Sequence, residues 1–116
     1  MKNILCDESD IMIKAIEKLL KPLGFNIIEY YGQEISEEID YFILSAKNSY
    51  DQKTNLSDIK KLYGKPKSKI IIISFSHDHL NILKRQYGNI IDHLYFKQAR
   101  SYDLDALYLY NNFILK

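Results

Sequence analysis

The sequence predicts an α/β fold in which a parallel sheet is covered by helices on both faces. Three observations carry that expectation. The first is the stretch Lys69–Ser76, KIIIISFS, whose four consecutive isoleucines are β-branched and favour extended chain. No polar residue alternates with them, so both faces of that strand must be covered, as in a parallel sheet. The second is that strand-like and helix-like segments alternate along the chain, with five of the former. The third is the abrupt end of the isoleucine run at Ser74-Phe75-Ser76-His77-Asp78. Polar residues at the carboxyl end of a parallel strand stand where open α/β sheets bind ligands.

The elements follow in order. Asn3–Cys6 (NILC) is a short apolar strand, and Asp7-Glu8-Ser9-Asp10 ends it and offers a helix N-cap at Ser9 or Asp10. Met12, Ile16, Leu19, Leu20 and Leu23 then recur at helical spacing, Lys14, Glu17, Lys18 and Lys21 fill the other face, and Pro22 and Gly24 close the helix. Phe25–Tyr30 is the second strand, broken by Gly32, and Gln33–Ile39 has room for a turn or two of helix. Tyr41–Leu44 is the third strand, ending at Ser45-Ala46-Lys47-Asn48, with a polar loop expected to about Asn55. Leu56–Tyr63 carries Ile59, Leu62 and Tyr63 at helical spacing, stopped by Gly64 with Pro66 beyond. After the isoleucine strand, Asp78–Tyr87 is amphipathic through Leu80, Leu83 and Tyr87, and Ile90–Phe96 is a fifth strand. Ser101 caps a last helix whose buried side reads as Leu104, Leu107, Tyr108, Ile114 and Leu115. Right-handed crossovers leave few topologies, and five such strands fit the flavodoxin-like order 2-1-3-4-5 in a doubly wound parallel sheet.

Bulk properties narrow the function classes. A chain of 116 residues with no repeat or linker reads as one domain, 1–116, and 47% hydrophobic with 27% charged residues is a soluble profile. A net charge of +1 gives no general case for nucleic acid or an anionic membrane as a direct partner. No apolar run approaches the ~18 residues of a membrane span. The single cysteine, Cys6, excludes an internal disulfide and suits a reducing, cytoplasmic setting.

In the expected strand order the first, third and fourth strand ends share one crevice. They bring Asp7 and Glu8, Ser45 and Ser74 together, with Lys97 ending the fifth strand beside them. Adjacent carboxylates repel unless a cation lies between them, and hard oxygen ligands suit Mg²⁺, although an ammonium can also neutralise them. A surface acidic turn that caps the first helix is the plainer reading of the same pair.

Cys6-Asp7-Glu8-Ser9 after a strand resembles the acidic first turn of response-regulator receiver domains, the CheY-like family. The resemblance extends through Ile16–Phe25 (IEKLLKPLGF), Asp40–Leu44 as the third strand, Lys97 at the end of the fifth, and Ser101–Leu104 opening the last helix. It implies that Asp7 and Glu8 match a Mg²⁺-holding pair, Ser74 (or Ser76) a hydroxyl that contacts phosphate, and Lys97 the phosphate-contacting lysine. The phosphoacceptor position falls on Ser45, where the family has an aspartate that takes a phosphoryl group from a histidine kinase.

Further departures accompany Ser45. Asp51 is the nearest downstream acid, six residues past the strand end. Gln98 replaces the proline that follows the family's lysine, and a cis peptide without proline costs about 3 kcal/mol. Leu94 stands at the family's switch aromatic, beside Tyr95 and Phe96, and the link between strands two and three is short. The resemblance therefore implies an atypical, pseudo-receiver domain of a two-component-type response regulator, not an enzyme, that signals by protein contact without Asp phosphorylation. Two lysines, Lys97 and Lys47, are the candidates to close the pocket in place of metal. No cofactor is expected, and Mg²⁺ would be held weakly by Asp7 and Glu8 alone. The alternatives are a conventional phosphorelay receiver and, third, a small flavodoxin-like enzyme or nucleotide binder. The third lacks any glycine-rich phosphate loop.

The expected partners are a protein or an output domain following Lys116, or a second copy. The contact face implied by the resemblance comprises helix 78–87, the fifth strand and the last helix, with Tyr87, Tyr95 and the tyrosines Tyr102, Tyr108 and Tyr110. Other residues read more plainly. Cys6 is a small strand side chain, because neighbouring acids raise a thiol's pKa. His77 and His79 have no third ligand at metal spacing. Lys65, Lys67 and Lys69 form a solvated patch around Pro66.

Overall fold

The structure, a computed structural model, describes residues 2–47, 55–98 and 100–115. Its elements are β1 (Lys2–Cys6), α1 (Asp10–Leu20) with a 3₁₀ turn (Lys21–Leu23), β2 (Phe25–Glu29), β3 (Ile39–Ser45), α2 (Leu56–Tyr63), β4 (Gly64–Ser74), α3 (His77–Tyr87), β5 (His93–Phe96) and α4 (Tyr102–Leu109) with a π-helical turn (Tyr110–Ile114). All pairings are parallel, and the sheet order is β2-β1-β3-β4-β5. The expected topology is therefore the one observed. No helix among the described residues is long and apolar enough to cross a membrane.

The isoleucines of β4 are divided between two cores. Ile71 and Ile73 join α1 and α4 on one face, and Ile70 and Ile72 join α2 and α3 on the other. Neighbouring strands repeat the alternation: Tyr41 and Ile43 of β3 face the first core, Phe42 and Leu44 the second. Four helices are fixed at their starts by side chains. Ser9, Asn55, Ser76 and Ser101 each accept from a backbone N–H in the first turn, which satisfies one of the donors a helix start leaves open.

Several elements differ from expectation, each for a local reason. Between β2 and β3 no helix forms; the Gln33 amide instead accepts from the Tyr31 N–H at 2.8 Å and donates to the Glu29 carbonyl at 2.7 Å. That closes a turn around Gly32, whose φ of 99° suits glycine. β4 begins at Gly64 rather than Lys69, because a bulge between the Ile39 and Tyr41 pairings absorbs Pro66. β5 starts only at His93, since the Ile90 and Ile91 N–H groups donate back to the Tyr87 carbonyl. Leu23 and Leu62, read as inward, are exposed; Leu56 and Ile59 carry the packing of α2.

The largest correction concerns the last helix. Of its expected buried residues only Ile114 is buried; Leu104, Leu107, Tyr108 and Leu115 are exposed. Its inward residues are Asp105, Ala106 and Leu109. The helix is turned so that Asp105 meets a cation and a phenol beneath it. The polar segment 48–54 and Asp51 within it lie outside the described residues.

Candidate functional site

The sheet order sets the ends of β1, β3 and β4 side by side, and a cavity of about 500 Å³ opens there. Asp7, Glu8, Ser9, Ser45, Lys47, Ser74 and Ser76 line it, together with Ile73, Phe75, His79 and Tyr102. Its volume lies in the range of small-ligand sites, ~300–1,000 Å³.

Asp7 is buried at the end of β1, where its N–H still donates to the Ile43 carbonyl at 3.2 Å. Its Oδ1 accepts from the Ser45 backbone N–H at 2.6 Å, which ties the acidic turn to the last residue of β3. Glu8 is half-buried, with Oε2 accepting from the Ser9 N–H at 3.3 Å. Burial first, and the Asp7 carboxylate second, push its carboxyl up to about 7. The Ser9 N–H and the more distant Lys97 ammonium pull the other way and do not prevail.

The two candidate serines of strand four are separated by their bonds. Ser76 is the N-cap of α3, its Oγ accepting from the His79 N–H at 3.3 Å. Ser74 is the buried last residue of β4; its Oγ accepts from the Ser76 N–H at 2.9 Å and donates to the Ser76 carbonyl at 3.1 Å. Both line the cavity, as does the exposed Lys47.

Lys97 is the residue whose surroundings differ most from expectation. Its N–H donates to the Ser74 carbonyl at 2.8 Å, so its backbone continues the ladder beside the crevice. Its side chain, 4% exposed, turns to the last helix and pairs with Asp105, which is 0% exposed. The ammonium lies over the rings of Tyr102 at 4.2 Å and Phe75 at 5.3 Å. Thus the Lys97 ammonium is placed on Asp105 instead of between Asp7 and Glu8.

Around Asp105 is a cluster that sequence reading missed. Its Oδ1 accepts from the Tyr95 hydroxyl at 2.6 Å and from Arg100 Nε at 3.1 Å, while Arg100 also bonds the Tyr95 hydroxyl and covers the Tyr95 and Tyr108 rings. Tyr95, expected on a contact face, is 5% exposed and belongs to this buried cluster. Burial and the bond to Asp105 hold its phenol above the usual range. The available signal was an acid flanked by Leu104 and Ala106 in the first turn of a capped helix.

The remaining candidates read plainly. Cys6 is buried in β1, and burial drives its thiol far above the reactive range. His77 stacks on Phe96 at 3.7 Å. Lys65 is paired with Asp40 at 2.7 Å and Glu38 at 3.4 Å.

No protein-family model matches the sequence, and neither does any curated protein. Solved structures do match the fold. A response regulator from Thermotoga maritima superposes with a TM-score of 0.69 at 18% identity, covering 96% of each chain. The fold is that of a response-regulator receiver domain. A response regulator protein from Burkholderia pseudomallei, with a phosphorylated aspartic acid, calcium and citrate, gives a TM-score of 0.62 at 16% identity, over 93% of this chain and 65% of that one. A de novo designed Rossmann 2x3 fold protein gives 0.59 at 12% identity, over 99% of this chain and 94% of that one.

The receiver fold implies Mg²⁺ at the acidic turn, and the residues present suit that ion poorly. Asp7 already uses one oxygen on the Ser45 N–H, and burial and the Asp7 carboxylate raise the Glu8 carboxyl. The third strand end contributes a serine. Among the described residues, no three of His, Cys, Asp and Glu form a cluster fit for a metal. Mg²⁺ demands near-ideal octahedral oxygen geometry and surrenders its waters reluctantly, and the described strand ends offer it two carboxyls and a serine.

Proposed function

We propose that this chain is an atypical receiver domain of a two-component-type response regulator, acting by protein contact without Asp phosphorylation and without catalysis of its own. One observation carries the reading: the last residue of β3, facing Asp7 across the crevice, is Ser45. A serine hydroxyl is a weak nucleophile unless a base takes its proton. The nearer acid, Asp7, is engaged by the backbone N–H of Ser45 itself. Without phosphoryl transfer, the domain would report through abundance or a bound protein rather than through a chemical switch.

The test is intact-mass measurement after incubation with acetyl phosphate and Mg²⁺. An unchanged mass is expected. A phosphoryl adduct mapped to Asp51 or Asp7 would replace this reading with that of a conventional phosphorelay receiver.

The partner is proposed to be a protein, either an output domain or a second copy, and neither nucleic acid nor a membrane; the setting is cytoplasmic. The last helix supports this, because α4 leaves Leu104, Leu107 and Tyr108 exposed, and Tyr108 stacks on Tyr95 of β5. Light scattering tests the second-copy version: a monomer at high concentration removes it.

A further inference from the structure

The buried ammonium beside the crevice, that of Lys97, is engaged outside it, whereas the exposed Lys47 lines the cavity. A lysine ammonium has three donors. That of Lys97 is ion-paired with Asp105 and donates to the Arg100 carbonyl at 3.2 Å and the Gln98 carbonyl at 3.5 Å, all outside the crevice. The rings of Phe75 and Tyr102, which both line the crevice, lie over it. Asp105 is in turn held in place by Tyr95 and Arg100, so its orientation does not depend on Lys97.

We propose that Asp105 is a positioning residue that withholds the Lys97 ammonium from the crevice and so keeps the crevice from binding phosphoryl-type anions. The Asp7 and Glu8 carboxyls disfavour an anion, and Lys97, the buried cation beside them, is directed away, so that of the described lysines the exposed Lys47 is the one in the lining. Moving Lys97 into the crevice would break its buried ion pair and leave Asp105 to Arg100 and Tyr95 alone, and breaking a buried ion pair is unfavourable. Two contacts to carbonyls, one of them long, do not hold the ammonium once the Asp105 charge is gone. Removing that charge therefore frees Lys97 to reach toward the crevice.

The inference rests on reading the crevice as a receiver-type site. Its experiment is separate, because it reads the position of Lys97 and not phosphorylation. Asp105→Asn keeps the shape and an oxygen for the Tyr95 hydroxyl while removing the charge. Lysine-ammonium NMR follows Lys97 while inorganic phosphate is added. In the wild-type chain the Lys97 signal is protected from solvent exchange and does not move with phosphate. In Asp105→Asn the signal shifts, exchanges faster and follows phosphate to saturation.

A wild-type Lys97 signal that titrates with phosphate would overturn the proposal. So would a folded Asp105→Asn chain whose Lys97 signal neither moves nor responds. Should Asp105→Asn fail to fold, competitive trace acetylation of the wild-type chain decides the matter. Lys97 is expected to label roughly a hundredfold more slowly than the exposed Lys47, since labelling requires the buried pair to open. Equal labelling of the two lysines would overturn the proposal as well.

Discussion

Glu8→Gln should stabilise the protein, by an amount that depends on pH. The Glu8 carboxyl stands at about 7 in the fold against an ordinary 4.5. Below pH 4.5 the residue is protonated in both folded and unfolded chains, and it contributes no difference. Between 4.5 and about 7 the unfolded chain releases the proton while the folded chain retains it. The folded state then binds more protons, so stability falls as pH rises through that window. Above pH 7 the whole cost is present and constant. At about 1.4 kcal/mol per pH unit, the gap between 4.5 and 7 corresponds to a cost on the order of 3 kcal/mol.

Glutamine has no charge to desolvate beside Asp7, so the variant escapes this cost. Urea unfolding of both chains at pH 5, 6, 7 and 8, in chelator to exclude divalent ions, measures it as a divergence of midpoints. The two stabilities should lie close at pH 5 and separate by about 2–3 kcal/mol at pH 8, with Glu8→Gln the more stable. Curves that remain parallel from pH 5 to 8 would refute the reasoning. They would mean that Glu8 is neither desolvated nor repelled by Asp7.

Other substitutions test other parts of the molecule. Ser45→Asp supplies the missing strand-end carboxylate, and calorimetry should show Mg²⁺ binding at least tenfold tighter than in the wild-type chain, about 1.4 kcal/mol. Tyr95→Phe leaves Asp105 without its hydroxyl donor in a buried cluster and should cost about 1–3 kcal/mol in urea unfolding. Phe42→Ala empties a fully buried position of β3 and should cost about 3–5 kcal/mol by the same measurement.

What the sequence made legible was governed by local pattern. The isoleucines of β4 imply a strand covered on both faces, and Ile70 through Ile73 do divide between two cores. Ser101 and Asn55 cap the helices they precede, because capping is decided by the adjacent few residues. In the crevice, the convergence of Asp7, Glu8, Ser45 and Ser74 follows from strand order alone, since each stands at a strand end. The direction of Lys97 was not legible. It depends on Asp105 in a different element, and the burial of a charge is set by its partner rather than by its neighbours in sequence. The phase of α4 was missed for the same cause: its leucines suggested one inward face, and one buried acid imposed another.

The repetition within β4 has a consequence for how the strand finds its place. Four identical side chains carry little information about alignment, because a slip of one residue puts another isoleucine into three of the four core positions. Alignment must therefore be specified by the polar residues at the edges of the run. On one side the Ser68 hydroxyl donates to the Ile39 carbonyl at 2.6 Å and accepts from the Lys65 N–H at 2.7 Å. On the other, the Asp92 carboxylate accepts from the Ile70 N–H at 2.8 Å while its own N–H donates to the Ile70 carbonyl at 2.9 Å. Ser68 and Asp92 thus act as the pins of a sliding bolt: they add little to the apolar core, yet they choose which of several nearly equivalent pairings becomes the native one.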